Sequence, residues 1–326
     1  MAGPIGFSLI REHEDQQLRL KAWRQNVGTP AALDVPDSGA RPRDSEGLVV
    51  LSWNVWIGRG RLHEVVSRIR DGEFKERGAR RDLPLIVLLQ EAYRSDPTLP
   101  PAPVGAAGRI LLAQTSPQED VVDTARKLGM SLRYAPSMRN GALQSDRGNA
   151  ILSTLPLHDA HALELPLVLQ RRVAVSATVT IGPRTLRLVS AHLDPRGPPG
   201  PQWFGATGRE TQARHLIASV KEDTVVLGAD LNLGRGRYEP AWRILGEGGF
   251  TFEVPPATPT WRHTFHALPR LVLDYVLVRN RSGAVRRARV HRLDEHPLDR
   301  GARVFGSDHH PLLGMIDFHP STEGTL

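Results

Sequence analysis

At 326 residues the chain can form one large domain or two small ones, and 40% apolar content with a mildly negative mean hydropathy suits a globular protein with a sizeable core. The absence of cysteine excludes disulfides, thiolate metal sites and a cysteine nucleophile. The formal charge of +7 is carried almost wholly by arginine, lysine occurring only at 21, 75, 127 and 221; a polyanionic partner such as nucleic acid and a general arginine bias solvated around the surface both account for it.

In chain order, residues 8–27 carry a partial apolar stripe (Leu9, Leu18, Leu20, Trp23, Val27) that predicts a helix. Residues 28–47 are rich in Gly, Pro, Asp and Ser and read as a linker, so 1–47 is expected to be an extension, 48–320 the domain and 321–326 a tail. The stretch from Leu48 to Trp53 is almost continuously apolar, as in a strand buried on both faces, and ends at Asn54. Leu62, Val65, Val66 and Ile69 then give a helical stripe. Pro84 to Leu89 is a second buried strand ending at Gln90-Glu91, and the Pro-rich run from Asp96 to Gly108 is a surface loop. Gln118 to Gly129 reads as a helix with a glycine stop.

Strands are expected over 131–134, 149–153, 172–181 and 185–192, a Pro/Gly loop with Trp203 and Phe204 over 195–208, and a helix over 210–220. Thr224 to Gly228 is a third buried strand, followed at once by Asp230, and 271–278 and 312–318 are two more strands. This order implies a mixed α/β sandwich, two packed sheets with helices outside, whose polar clusters gather where strands end. No apolar run approaches the ~18 residues of a membrane helix. The N-terminus is charged from Arg11 onward, so a cytoplasmic protein without a secretory signal is expected.

The polar clusters have distinct chemistries. Glu91 and Asp308 are hard oxygen donors of the kind Mg2+ takes, although a carboxylate at a strand end is commonly just solvated. Asp230 and Asn232 are two apart, which in an extended segment puts both on one side; Asp-Leu-Asn is also a common turn sequence. His192 and His309 are imidazoles able to hold a proton near neutrality, while His310 is expected to point away from His309 and to serve structure. Asp274 stands in an apolar strand and needs a partner, either a catalytic histidine or one of the many arginines. His263 and His266 have a His-x-x-His spacing, but zinc wants more ligands on a clear frame.

The ordered set of motifs resembles the endonuclease/exonuclease/phosphatase superfamily, the DNase I-like phosphoesterases. The pieces are Ser52-Trp53-Asn54-Val55, Leu89-Gln90-Glu91, Gly148-Asn149-Ala150-Ile151-Leu152-Ser153, Ser190-Ala191-His192-Leu193, Gly228-Ala229-Asp230-Leu231-Asn232, Thr260-Trp261, Leu273-Asp274-Tyr275-Val276 and Ser307-Asp308-His309. Each is short, and only their order and spacing are specific. The resemblance implies a four-layer α-β-β-α sandwich and a Mg2+- or Mn2+-dependent phosphoester hydrolase. It implies Glu91 as main metal ligand, with Asn54 and Asp308 beside the metal. Asp230 would orient or deprotonate the attacking water, Asn232 would hold the phosphate, and His309 would contact the scissile phosphate with Asp274 as its partner. His192 would be the second catalytic histidine, donating a proton to the leaving oxygen. Asn149 and Arg172 fall where the family has phosphate- or substrate-side groups. Residue 56 is Trp where some nucleases carry a further acidic residue.

The leading expectation is a phosphodiesterase acting on nucleic acid. A hydrolase of a small-molecule or lipid phosphoester, such as a sphingomyelinase-like or sugar-phosphatase-like enzyme, uses the same groups. A non-catalytic binding module is disfavoured by the completeness of the set.

Overall fold

The computed structural model describes residues 5–9, 14–35, 46–104, 117–197, 204–253, 263–295 and 303–320. Trp203, Thr260-Trp261, the 36–45 part of the expected linker and the 321–326 tail lie outside the described residues.

The chain begins with β1 (Gly6–Ser8), α1 (Glu14–Arg24), β2 (Ala31–Leu33), β3 (Gly47–Asn54), α2 (Leu62–Arg70), β4 (Leu85–Ser95) and α3 (Val121–Leu128). It continues through β5 (Ser131–Arg139), β6 (Ser145–Ser153), β7 (His158–Glu164), β8 (Val173–Ile181), β9 (Arg184–His192), α4 (Ala206–Ser219) and β10 (Thr224–Asp230). The last elements are α5 (Pro240–Glu247), β11 (Phe250–Glu253), β12 (Asp274–Asn280), β13 (Val285–Arg292) and β14 (Leu312–Phe318).

Two mixed seven-stranded sheets stack face to face, in the orders β1-β7-β8-β9-β10-β12-β11 and β13-β14-β3-β4-β6-β5-β2. The expected α-β-β-α sandwich is therefore what forms. Alternation within the central strands explains the layering. In β3, Val49, Leu51 and Trp53 face outward and pack with Val65, Val66 and Ile69 of α2 and Ala125 of α3, while Leu48 and Val50 face inward with Leu188 and Val226 of the other sheet. On the far side, Val225 and Leu227 of β10 pack under Ala213 and Leu216 of α4 and Ile244 and Leu245 of α5. α3 is closed at both ends by its own sequence: Asp120 accepts from Val122 N (2.8 Å) and Asp123 N (3.1 Å), and Gly129 takes the left-handed φ of 60°. Among the described residues no helix is long and apolar enough to cross a membrane.

The described residues among the first 35 depart from the expected extension. β1 adds parallel to β7 at one sheet edge, and β2, inside the expected linker, adds antiparallel to β5 at the edge of the other. Arg24 of α1 pairs with Glu164, Leu20 packs on Leu167, and Gly28 N donates to Asp146 (2.9 Å). Three-residue edge strands are too short to leave a periodic pattern, which is why β1 read as part of an extension and β2 as linker. The expected 271–278 strand starts later, at Asp274; β7, β11, β13 and α5 had not been expected at all.

Candidate active site

Strand register places the first row of groups. Asp230, the last residue of β10, is paired directly with His192 of β9 on one side and Asp274 of β12 on the other. Three side chains from distant parts of the sequence thus stand side by side at one end of one sheet. Asn54 ends β3 in the facing sheet, and its Nδ2 donates to Asp230 Oδ2 (2.9 Å) while its Oδ1 accepts from Trp56 N (3.0 Å).

The two sheets are pinned together just beneath this row by polar contacts. Gln90 Nε2 donates to Ser190 Oγ and Gly228 O, both at 3.2 Å, and Ser190 Oγ donates to Leu89 O (2.7 Å). Asn149 Nδ2 donates to Val173 O (2.8 Å) and Ser190 O (3.3 Å), so part of its amide is spent on holding the sheets. Gly228 has no room for a side chain: a Cβ there would lie 2.7 Å from Ser52 Oγ and 2.8 Å from Leu88 Cβ. The close approach brings the carboxylates and imidazoles of both sheets within reach of one another.

His309 arrives just ahead of β14. Its Nδ1 sits 2.7 Å from Asp274 Oδ2, so the partner expected for Asp274 is the histidine and not an arginine. Its Nε2 lies 3.9 Å from Asp230 Oδ2 and 4.0 Å from Asp308 Oδ1. The backbone is fixed by Trp53 Nε1 donating to His309 O (2.8 Å) and by Ser307 Oγ, which accepts from His309 N (3.1 Å) and donates to Asn54 O (2.7 Å). Thr264 Oγ1 accepts from Asp274 N (2.9 Å).

Glu91 reaches the site through a bulge. The β4–β6 register shifts between Leu89 and Ala92, and Glu91 holds a left-handed φ of 53°. Bulges of this kind re-aim a side chain, and a left-handed φ in a non-glycine residue stores ~1–3 kcal/mol of strain. Asp308 Oδ1 is buried and, among the described residues, has no hydrogen-bond partner. Glu91 stands close enough to raise the proton affinity of Asp308, and two such carboxylates, one with an orphaned oxygen, are a donor set that fits a hard divalent cation.

Asn232 differs from the extended reading. Its φ is 52°, its N donates back to Asp230 Oδ1 (3.1 Å) and its Nδ2 donates to Leu193 O (3.0 Å), so Asp-Leu-Asn is a turn that orients the Asp230 carboxylate. Arg172 is buried beside His192, with its Nε on Asp194 Oδ1 (3.1 Å).

The charge states follow from this crowding. Burial, then the neighbouring Asp274 carboxylate, pushes Asp230 up to about 7. Burial opposes protonation of His309, yet Asp274, Asp230 and Asp308 together push it up to about 10, so it is an imidazolium at neutral pH. His192 goes the other way: burial and the positive charges of Arg172, His309 and Arg147 hold it well below its ordinary value, so it is neutral. Its Nε2 lies 3.3 Å from Asp230 Oδ2. Burial, with Glu91 adding to it, lifts Asp308 to about 6 against the pull of His309.

Sequence reasoning missed Arg147 and Asp194, and did not place arginines on Trp56. Arg147 is buried, senses the charges of Glu91 and Arg172, and helps hold His192 neutral; the signal was a charged residue inside a strand. Asp194, two residues after His192, holds Arg172 and accepts from Leu169 N (3.1 Å) and Gln212 Nε2 (3.2 Å). Trp56 carries the guanidiniums of Arg59 and Arg303 at 4.4 and 4.8 Å from its ring centre, and Arg59 senses the charges of both Asp308 and Glu91.

The sequence profile of the Endonuclease/Exonuclease/phosphatase family matches residues 51–309. Comparison with curated protein sequences finds no significant match. Among solved structures, an endonuclease/exonuclease/phosphatase family protein from Leptotrichia buccalis is 12% identical, with a TM-score of 0.51 over 83% of this chain and 99% of that one. Humanized D. rerio TDP2 is 16% identical, TM-score 0.52, over 84% of this chain and 100% of that one. The human Nocturnin catalytic domain, solved with bound sulfate anion, is 15% identical, TM-score 0.51, over 89% and 97%. At these identities the likeness is one of fold.

Proposed function

The chain belongs to the Endonuclease/Exonuclease/phosphatase family of phosphoester hydrolases, and on that premise we propose that it is a divalent-metal-dependent phosphodiesterase acting on nucleic acid. The observation that carries the reading is the pair of histidines, held in opposite protonation states, whose Nε2 atoms both approach Asp230 Oδ2 (3.3 and 3.9 Å), a carboxylate raised to about 7. A site that must both take a proton and stabilise negative charge needs such a split.

Glu91, Asp308 and Asn54 are the residues that would hold the ion. When bound, Mg2+ or Mn2+ supplies polarisation of a phosphoryl oxygen. Asp230 takes the proton of the attacking water, oriented by Asn54 and by the Asn232 turn. His309, locked by Asp274, presents its Nε2–H to the phosphate as a fixed positive charge. His192 is neutral in the free protein, with its Nε2 3.3 Å from Asp230 Oδ2; the proton that Asp230 takes from water passes to His192, and the imidazolium so formed gives it to the leaving oxygen. Asn232, Asn149 and Arg172 flank the phosphate side.

Nucleic acid is favoured by the +7 charge and by the Arg59–Trp56–Arg303 stack next to Glu91 and Asp308, which offers cations for a phosphate backbone and a ring for a base. The test is hydrolysis of bis(p-nitrophenyl) phosphate and p-nitrophenyl phosphate with Mg2+, Mn2+ or EDTA, followed by single- and double-stranded DNA and RNA at rising salt. EDTA-sensitive diester cleavage, with nucleic-acid cleavage that weakens steeply as salt rises, is expected. Monoester cleavage alone, or turnover of a lipid or sugar phosphoester with none of nucleic acid, overturns the substrate assignment.

A further inference from the structure

Three imidazoles outside the catalytic row converge behind it. His310 turns away from His309, and its Nε2 lies 3.1 Å from His266 Nδ1. The His263 ring centre is 5.3 Å from that of His310 and 6.1 Å from that of His266. One ligand atom from each of the three lies within 4.8 Å of the others. On its other side, His310 Nδ1 is 3.0 Å from Asp294 Oδ1, and Asp294 also pairs with Arg292 (2.8 Å). A carboxylate on the far nitrogen of an imidazole is the usual support of a metal-ligating histidine, because it fixes the tautomer and aims the free nitrogen at the ion.

We propose that His263, His266 and His310 form a second cation site, distinct from the carboxylate site, that takes a borderline transition ion of the Zn2+ class. Imidazole nitrogens suit Zn2+, whereas Mg2+ takes oxygen. The 3.1 Å between His266 Nδ1 and His310 Nε2 is close to the ~3.3 Å edge of a tetrahedron with ~2.0–2.1 Å zinc–nitrogen bonds. His263 also lines an open surface cleft, which gives the ion a way in.

The site clamps the catalytic segment. His266 N donates to Asp308 O (2.7 Å), His310 N donates to Thr264 O (2.8 Å), and Thr264 Oγ1 accepts from Asp274 N (2.9 Å). An ion joining 263–266 to His310 therefore ties together the backbone that presents Asp308, His309 and Asp274. Its role is positioning, and it does not depend on which phosphoester the enzyme cleaves.

The experiment is a Co2+ titration of chelator-stripped protein, read by visible absorbance. Four-coordinate Co2+ with imidazole ligands gives strong bands that six-coordinate, oxygen-ligated Co2+ lacks. Wild type and Glu91→Gln should both develop the bands, saturating at one equivalent and bleached by one equivalent of Zn2+. The double variant His263→Ala/His266→Ala should show none, and Asp294→Asn should bind ~10–100-fold more weakly. Should the double variant fail to fold, His263→Gln serves in its place, with the same loss of bands expected. Absence of bands in wild type, their survival in the histidine variants, or their loss in Glu91→Gln overturns the proposal and leaves the cluster as a histidine hydrogen-bond network.

Discussion

Asp274→Asn isolates the electrostatic work of one carboxylate. In the wild type His309 is pushed from 6.5 to about 10, and Asp274 is the largest of the influences that raise it, acting against burial. At ~1.36 kcal/mol for each tenfold change in proton affinity, the net preference for the imidazolium is on the order of 5 kcal/mol. Asparagine keeps the shape and removes the charge; burial remains and the ring becomes neutral at pH 7.5. Losing a fixed positive charge and the correct tautomer should lower kcat by about 10²–10⁴. The assay is diester hydrolysis across pH 5.5–10 with saturating Mg2+. Wild type should gain rate as Asp230 loses its proton near 7 and then hold it until His309 loses its proton near 10, and the variant should lack that alkaline plateau. Asp274 Oδ1 is buried without a hydrogen-bond partner among the described residues, so the new amide hydrogens cost ~1–3 kcal/mol and a lower Tm is expected with an unchanged circular dichroism spectrum. A variant within threefold of wild type, with its alkaline limb unmoved, would refute the assignment of His309 as an imidazolium held by Asp274.

Four further outcomes are expected. In EDTA the protein should be less stable at pH 9 than at pH 6.5: Asp230 and His309 have folded values raised to about 7 and about 10, so the native state holds extra protons and its stability falls as pH rises through those values. Asp308, raised to about 6, adds the same trend at lower pH, so Mg2+ should raise Tm more at pH 8 than at pH 5.5; equal shifts at the two pH values would count against Asp308 as a ligand. Asp230→Asn should lower kcat by at least ~10³ while leaving Tm at pH 8 no lower than wild type's, because it removes a buried charge beside Asp274; a fall in Tm or retained turnover contradicts this. Gly148→Ala should destabilise by more than ~3 kcal/mol, since its Cβ would lie 1.9 Å from the backbone oxygen of Ala135, and denaturant melts within ~1 kcal/mol of wild type would show that the β5–β6 contact yields.

The candidate residues of the site, and most of the central frame, are legible in the linear sequence. Nearly continuous apolar runs such as Leu48 to Trp53 read as strands covered on both faces, and apolar stripes such as Leu62, Val65, Val66 and Ile69 mark a helix packed on one side. A carboxylate inside an apolar run, as at Asp274, announces that it needs a partner. Segments that lack a period are not legible. β1 and β2 are three residues each and belong to sheets only because β7 and β5 have open edges to receive them. β13 hides its alternation under a run of arginines.

What the sequence determines by itself is thus composition and local period: a sandwich of two sheets between helices, and an inventory of Asn54, Glu91, His192, Asp230, Asn232, Asp274, Asp308 and His309. Only the tertiary structure decides how these groups stand to one another. Register sets His192, Asp230 and Asp274 in one row, and the bulge at Glu91 turns a strand residue toward Asp308. Proton affinity depends on burial and on charges a few ångströms away, so two histidines of the same intrinsic basicity end as one imidazolium and one neutral ring. The same holds for His263, His266 and His310: 44 positions separate His266 from His310, and no spacing rule connects them until the chain folds and brings their nitrogens to 3.1 Å.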